Sequence, residues 1–258
     1  MLETGAAIEA ALRAGEIILD GLNRADIAVY QKGPIDFATQ IDRSAEAAIK
    51  SCLGAAFPGY GVLAEESGSA PGTSEGLWII DPLDGTINFM KGYPFFSVSI
   101  GLQKSGMMVL GVVYNPVLRE LYVAERGAGA RLNGRPIHAT AVANLGEAML
   151  ASGFPYDAWE NPDNNSAPWA ALLRRCLSLR RDGSAALDLC YVACGRLDGY
   201  WEKGLSPWDV AAGSLIAAEA EARVTDYSGE QGFLDSGEIV AANAPLHAEL
   251  ISTLATAR

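Results

Sequence analysis

The apolar run Leu77–Ile80 stops at Asp81-Pro82-Leu83-Asp84-Gly85-Thr86, and no other stretch constrains the chain as much. A run this apolar predicts a strand in the middle of a sheet, buried on both faces. It ends abruptly at Asp81, where Pro82 fixes φ and Gly85 permits a sharp turn. Asp81 and Asp84 then leave one stiff loop together, and Thr86 opens a short helix. The N–H groups of Gly85 and Thr86 would face outward at that helix N-terminus, a setting that suits a phosphate oxygen. Hard oxygen donors for magnesium and N–H donors for phosphate thus share one loop. Read alone, the same residues also make a surface turn, because Asp, Pro and Gly are the commonest turn formers. The end of a central strand is nevertheless where α/β proteins place their sites.

Three further segments carry candidate groups. Glu65 and Glu66 follow a short apolar run, a pattern that equally describes a solvated charge doublet. Asp209, in Ser206-Pro207-Trp208-Asp209, stands in the first turn of a predicted helix, where a carboxylate is also favoured by the dipole. Asp42 lies at the start of another helix and would serve as its N-cap. No Lys or Arg lies inside the segments that hold Glu65, Asp81, Asp84 and Asp209. Bare carboxylates brought together repel unless a cation occupies the gap.

Periodicity sets the framework. Ile8, Leu12, Ile18, Leu19 and Leu22 approximate a helical stripe, and a second helix runs from about Asp42 to Phe57, stopped by Pro58-Gly59. Strands are expected at Gly61–Ala64, Leu77–Ile80, Phe96–Gln103, Met107–Tyr114 and Leu121–Glu125, with a tight turn at Asn133-Gly134. After about residue 148 strands and helices alternate: strand Ala148–Ser152, helices near Pro168–Cys176 and Ser184–Cys194, strand Gly199–Trp201, helix Asp209–Ala222, strand Glu238–Ala242 and helix Pro245–Thr256. The expected fold is α/β (α+β), a layered αβαβα sandwich. Its N-terminal half, 1–147, carries an antiparallel sheet and the metal-binding loop; its C-terminal half, 148–258, carries a mostly parallel sheet. Clefts favour the seam between such halves.

Composition narrows the function classes. The 258 residues hold 31 Asp and Glu against 19 Lys and Arg, a net charge of −12. That balance disfavours nucleic acid and anionic membranes as partners, and an enzyme so charged must neutralise a phosphate substrate locally. No apolar run reaches about 18 residues, and the acidic, amphipathic N-terminus does not read as a signal peptide. Cys52, Cys176, Cys190 and Cys194 read as reduced thiols, which places the chain in the cytoplasm. His138 and His247 lie near no CxxC pair, so a zinc site is not expected.

Together these segments resemble the inositol monophosphatase family. Asp81-Pro82-Leu83-Asp84-Gly85-Thr86 matches one family signature; Trp208-Asp209 with Ala211-Ala212-Gly213 matches the second. Glu65-Glu66-Ser67 stands at the family's spacing before the first. Lys32-Gly33-Pro34-Ile35-Asp36 through Thr39-Gln40-Ile41-Asp42 extends the likeness, which runs from about Lys32 to Gly213. Ile87 stands where members often carry Thr, at a position that holds no ligand.

The resemblance implies a magnesium-dependent phosphoric monoester hydrolase, sensitive to lithium and homodimeric, with about two to three Mg2+ per site. By that carry-over Glu65, Asp81 and the Leu83 carbonyl hold one ion, and Asp81, Asp84 and Asp209 a second. A third leans on Glu65. Glu65 and the Thr86 hydroxyl orient and deprotonate the attacking water, with Thr39 and Asp42 supporting them, and Lys32 stands at the edge. Asp84, Gly85, Thr86, Ala185 and Glu202 bind substrate; Glu202 accepts from polyol hydroxyls and favours inositol 1-phosphate over nucleotide bisphosphates. Histidinol phosphate and fructose 1,6-bisphosphate stay open as substrates. So does a regulatory protein-binding role, since some members associate with transcription complexes. Taken residue by residue, Lys32 could equally be a solvated lysine and Glu202 a rim charge.

Overall fold

The computed structural model describes residues 2–22, 24 and 26–257. Helix α1 (Leu2–Leu22) leads to β1 (Val29–Gln31), β2 (Phe37–Thr39) and α2 (Gln40–Ala56). Then come β3 (Gly61–Ala64), β4 (Gly68–Ala70), β5 (Gly76–Asp84), α3 (Thr86–Lys91), β6 (Ser97–Lys104), β7 (Met107–Asn115), β8 (Glu120–Glu125), β9 (Ala130–Leu132) and β10 (Arg135–Ile137). The rest of the chain forms β11 (Met149–Ser152), α4 (Ser166–Leu173), β12 (Ser178–Arg180), α5 (Ala185–Ala193), β13 (Gly199–Lys203) and α6 (Pro207–Glu219). It ends with β14 (Arg223–Thr225), α7 (Phe233–Ser236), β15 (Glu238–Ala242) and α8 (Ala244–Thr256).

Among the described residues the strands form a β1–β2 ribbon, an eight-stranded sheet in the order β10-β9-β8-β7-β6-β5-β3-β4, and a five-stranded sheet in the order β12-β11-β13-β15-β14. Helices α1 and α2 cover one face of the larger sheet, where Trp78, Ile80, Ile100 and Val112 meet Ala14, Ile18 and Ile49. Ile79 and Val113 point to the opposite face and meet α5 and α6, which also receive Tyr200, Ile239 and Ala241 of the smaller sheet. Trp201, Val240 and Ala242 point away again, toward Leu172 of α4 and Leu246 and Leu250 of α8. The period of two along β5, β13 and β15 thus feeds both faces of each sheet. The outcome is the five-layered αβαβα sandwich expected from the sequence. Parallel pairing in the smaller sheet is confined to β11, β12 and β13; β15 is the reversed strand, pairing antiparallel with both β13 and β14. Helix α6 carries the chain across from β13 to β14, and β15 then enters between them in the opposite direction.

Three local readings change. The buried face of α1 is Ala7, Ala10, Ala11, Ala14 and Ile18, whereas Leu12 is 40% exposed. Small residues win because α1 lies close to the sheet: a Cβ on Gly15 would stand 2.5 Å from the Tyr114 ring. Helix α2 begins at Gln40 with Thr39 as its N-cap, so Asp42 is the third residue of a capping box and not the cap itself. Finally, β5 does not stop at Asp81. It continues to Asp84 through a bulge, with Asp81 opposite Ser99 and Asp84 opposite Ser97.

Helix α6 sits on β6 and β7 through two glycines. A Cβ on Gly111 would approach the Ala212 carbonyl oxygen to 2.5 Å, and one on Gly101 would meet the Ala211 methyl at 3.2 Å. The helix therefore rests on backbone.

Candidate active site

The bulge in β5 brings Asp81 and Asp84 together. Residues three apart in a regular strand face opposite sides. Here the extra residue restores the phase, because their partners Ser99 and Ser97 are two apart and share a face. Pro82, which has no N–H to offer a ladder, is tolerated inside the bulge. Parallel pairing of β3 with β5, Ala64 opposite Ile80, places Glu65 beside Asp81, and Glu65 N–H donates to the Ile80 carbonyl. Asp209 arrives from α6, where Pro207 opens the helix and Asp209 completes a capping box with Ser206.

Glu65, Asp81, Asp84 and Asp209 line one cavity of about 200 Å³ together with Lys32, Leu83, Gly85, Thr86 and Tyr156. Each aspartate has one oxygen engaged by the chain. Asp81 Oδ1 accepts from Leu83 N–H at 2.9 Å, and Asp209 Oδ2 from Ser206 N–H at 2.7 Å. Asp84 Oδ2 accepts from the Ser184 hydroxyl at 2.6 Å and Ala186 N–H at 2.8 Å. Burial raises the pKa of all four carboxyls: Glu65 to about 7, Asp84 to about 6, and Asp81 and Asp209 well above their ordinary range. Mutual repulsion adds to burial at Asp81, where Glu65, Asp84 and Asp209 all contribute. Hydrogen bonds from Ser184, Ala186 and Ala185 oppose it at Asp84.

The donor set fits a hard divalent cation. It consists of carboxylate oxygens, each aspartate keeping a second oxygen, with the Leu83 carbonyl beside them, and no His or Cys lines the cavity. Among the described residues no group of three or more His, Cys, Asp or Glu is drawn up in ready metal-holding geometry. The carboxylates share a cavity without closing on one point, and like charges this near one another repel.

The sequence segments contain no basic partner, but the fold supplies one. Lys32 Nζ stands 2.9 Å from Glu65 Oε1 and 2.5 Å from Glu66 Oε1. Burial disfavours its charge, yet Glu65 and Glu66 more than offset this and raise its pKa. Glu66 is held away from the cavity, since its N–H donates to Glu46 and Arg43 stands 3.9 Å from its carboxylate.

Thr39, Asp42 and Thr86 meet through hydrogen bonds. Asp42 is fully buried; its Oδ2 accepts from Thr39 N–H at 2.8 Å and the Thr39 hydroxyl at 2.5 Å. Its Oδ1 accepts from the Thr86 hydroxyl at 2.9 Å. Burial raises the Asp42 pKa, opposed by these same bonds. Gly85 caps α3 at φ +95°, and a Cβ there would crowd the Phe95 and Gly183 carbonyls at 3.0 and 3.1 Å.

A second cavity adjoins the first through Asp84, Gly85, Thr86, Tyr156 and Asp209, and adds Ala185, Glu202, Arg181, Phe37 and Phe154. Glu202 accepts from the Tyr200 hydroxyl at 2.7 Å. Burial raises its pKa to about 7, opposed by that bond and by Arg181. All the residues singled out from the sequence therefore lie in or beside these two cavities. Sequence reasoning placed Ser184 at a helix start without giving it a role of its own, and missed Arg181 and Tyr156. Ser184 at the N-cap of α5 carried a signal, but its hydroxyl serves Asp84 in place of its own helix. Arg181 and Tyr156 stand in irregular segments and had none.

No helix among the described residues is long and apolar enough to cross a membrane. A family model for the inositol monophosphatase family matches residues 3–258. The Nus factor SuhB of Vibrio cholerae is 46% identical over 239 residues, spanning 92% of this chain and 90% of that protein. The inositol-1-monophosphatase of Mesorhizobium japonicum is 42% identical over 249 residues, spanning 96% and 94%. Inositol monophosphatase from Anabaena superposes with a TM-score of 0.91 at 40% identity, over 100% of this chain and 96% of that one. The paired aspartates of the bulge, the capped Asp209 and the fold around them leave one reading of ancestry: this chain belongs to the inositol monophosphatase family.

Proposed function

We propose that this chain hydrolyses small polyol phosphate monoesters, inositol 1-phosphate foremost, with magnesium held by Glu65, Asp81, Asp84, Asp209 and the Leu83 carbonyl. The observation that carries the reading is the β5 bulge, which turns Asp81 and Asp84 to one face in the cavity that Glu65 and Asp209 also line. Magnesium bound there supplies Lewis acidity and an acidified water.

The chain's own residues divide the remaining work. A hydroxyl has one proton, and Thr86 directs its proton to Asp42 or, at 3.2 Å, to the Leu83 carbonyl. The Thr86 lone pairs are then left to accept from a water. Glu65, beside it in the cavity, orients that water and takes its proton. Gly85 and Thr86 N–H groups at the start of α3 receive phosphate oxygens as charge shifts. Glu202 accepts hydroxyls of the alcohol in the adjoining cavity, and Asp84 bridges the two.

Phosphate release measured over a panel of esters and divalent cations tests this. Inositol 1-phosphate with magnesium is expected to lead. A much better rate on histidinol phosphate or fructose 1,6-bisphosphate would move the substrate, and no hydrolysis with any cation would remove the activity.

A regulatory protein-binding role is the second reading, favoured by the printed name of the Vibrio cholerae relative, a Nus factor. A partner captured equally by wild type and by a chain lacking Asp209 would support it independently of turnover. By resemblance we also propose a homodimer, lithium inhibition and a cytoplasmic setting.

A further inference from the structure

Glu202 lies near the end of β13, and the placement of its carboxylate depends on two residues that take no part in the chemistry above. Gly153 is the first. It follows Ser152, the last residue of β11, which pairs in parallel register with Trp201. A Cβ on Gly153 would collide with both carboxylate oxygens of Glu202. The carboxylate therefore lies directly against the Gly153 backbone, while Tyr200 donates to Oε2. Gly153 is not among the glycines with positive φ, so its missing side chain provides space and not an unusual turn.

Asn165 is the second. It is 1% exposed and spends its whole amide across the ends of two strands. Nδ2 donates to the Gly153 carbonyl at 2.7 Å and to Ser152 Oγ at 2.8 Å. Oδ1 accepts from Trp201 Nε1 at 3.0 Å. The Ser152 hydroxyl donates in turn to the Trp201 carbonyl, closing the circuit. Trp201 immediately precedes Glu202, and Gly153 lies against it. One buried amide thus pins the residue next to the carboxylate and the surface it rests on. A polar group buried beside Trp201 and Tyr227 is costly unless its donors and acceptor are met, and here both amide hydrogens and Oδ1, which also receives the Tyr227 hydroxyl at 3.4 Å, are satisfied.

We infer that Gly153 and Asn165 are positioning residues that hold the Glu202 carboxylate in the substrate cavity and so set the preference for alcohols bearing adjacent hydroxyl groups. The inference rests on the reading that Glu202 receives those hydroxyls.

The test compares inositol 1-phosphate with p-nitrophenyl phosphate, whose leaving group has no such hydroxyls, both with magnesium. Gly153→Ala should raise KM for inositol 1-phosphate about tenfold or more. Its kcat should stay within about twofold, and neither constant should move on p-nitrophenyl phosphate beyond that. Asn165→Ala should show the same split where it folds. Gly153→Ala combined with Glu202→Asp supplies the control, since the shorter carboxylate clears the new methyl. Its KM should fall back to that of Glu202→Asp alone, a coupling that general loosening of the fold cannot produce. An unchanged inositol 1-phosphate KM in Gly153→Ala, equal losses on both esters, or strictly additive effects in the cycle would overturn the inference while leaving the phosphatase reading intact. Wild-type protein that hydrolyses neither ester would overturn that reading, and the inference with it.

Discussion

The Thr86 hydroxyl donates to Asp42 across 44 residues of chain, joining the first turn of α3 to the first turn of α2. Asp42 is thereby both the third residue of a capping box and the acceptor that fixes Thr86. Asp42→Asn keeps the shape but loses acceptor capacity. We expect kcat to fall about 100-fold or more, with far-ultraviolet circular dichroism unchanged. Turnover within a few-fold of wild type would show that Thr86 does not need this acceptor.

Glu65→Gln and Asp209→Asn separate stability from chemistry. Each should lower kcat by about three orders of magnitude or more. Each should also raise the melting temperature in chelator, because a buried, mutually repelled carboxylate becomes neutral. Lower melting temperatures in chelator for both would mean that these carboxylates are not under electrostatic stress.

Lys32 Nζ stands 2.9 Å from Glu65 Oε1, so a cation bound by Glu65 would have to compete with it. Lys32→Met removes a positive charge from the cavity edge, so half-saturation by magnesium should move to a concentration about three- to tenfold lower. A magnesium titration of initial rates reads this directly, and a shift the other way would give Lys32 a supporting role in place of a competing one.

The pKa shifts also set a pH dependence for the metal-free protein. Glu65 and Glu202 rise from 4.5 to about 7, and Asp84 from 3.8 to about 6. The folded form binds more protons than the unfolded form between those values, so stability falls as pH climbs through that window. His247 works in the opposite direction. Burial lowers its pKa from 6.5 to about 4, and the stability of its neutral form is lost as pH falls through that range. Three carboxyls outweigh one imidazole. In chelator the melting temperature should be higher at pH 5.5 than at pH 7.5, with the gap closing in saturating magnesium. Calorimetry that finds the reverse order in chelator would contradict the raised values.

The long strands and the four carboxylates were legible because each has a local cause: an apolar run with period two, or an acid at a strand end or helix start. What stayed hidden depends on distant partners. Nothing near Lys32 announces Glu65, and nothing near Glu65 announces Lys32. The β5 bulge could be suspected from Pro82 but located only against Ser97 and Ser99. β1, β2, β4 and β14 are each three residues long, too short for a period to show. Their pairing is set by neighbours that the local pattern does not name. The face of α1 was misread because size was taken to mark burial, whereas close packing on Tyr114 selects alanine and glycine.

The seat of α6 on Gly101 and Gly111 has a consequence for how this protein is born. Asp209 is delivered by a helix made late in the chain, onto strands made more than a hundred residues earlier. A nascent or truncated chain ending before that helix would own three of the four acids and no means of completing the set. Any magnesium-dependent gain in protease resistance should therefore appear abruptly with chain length, at the point where α6 can reach its two bare strands.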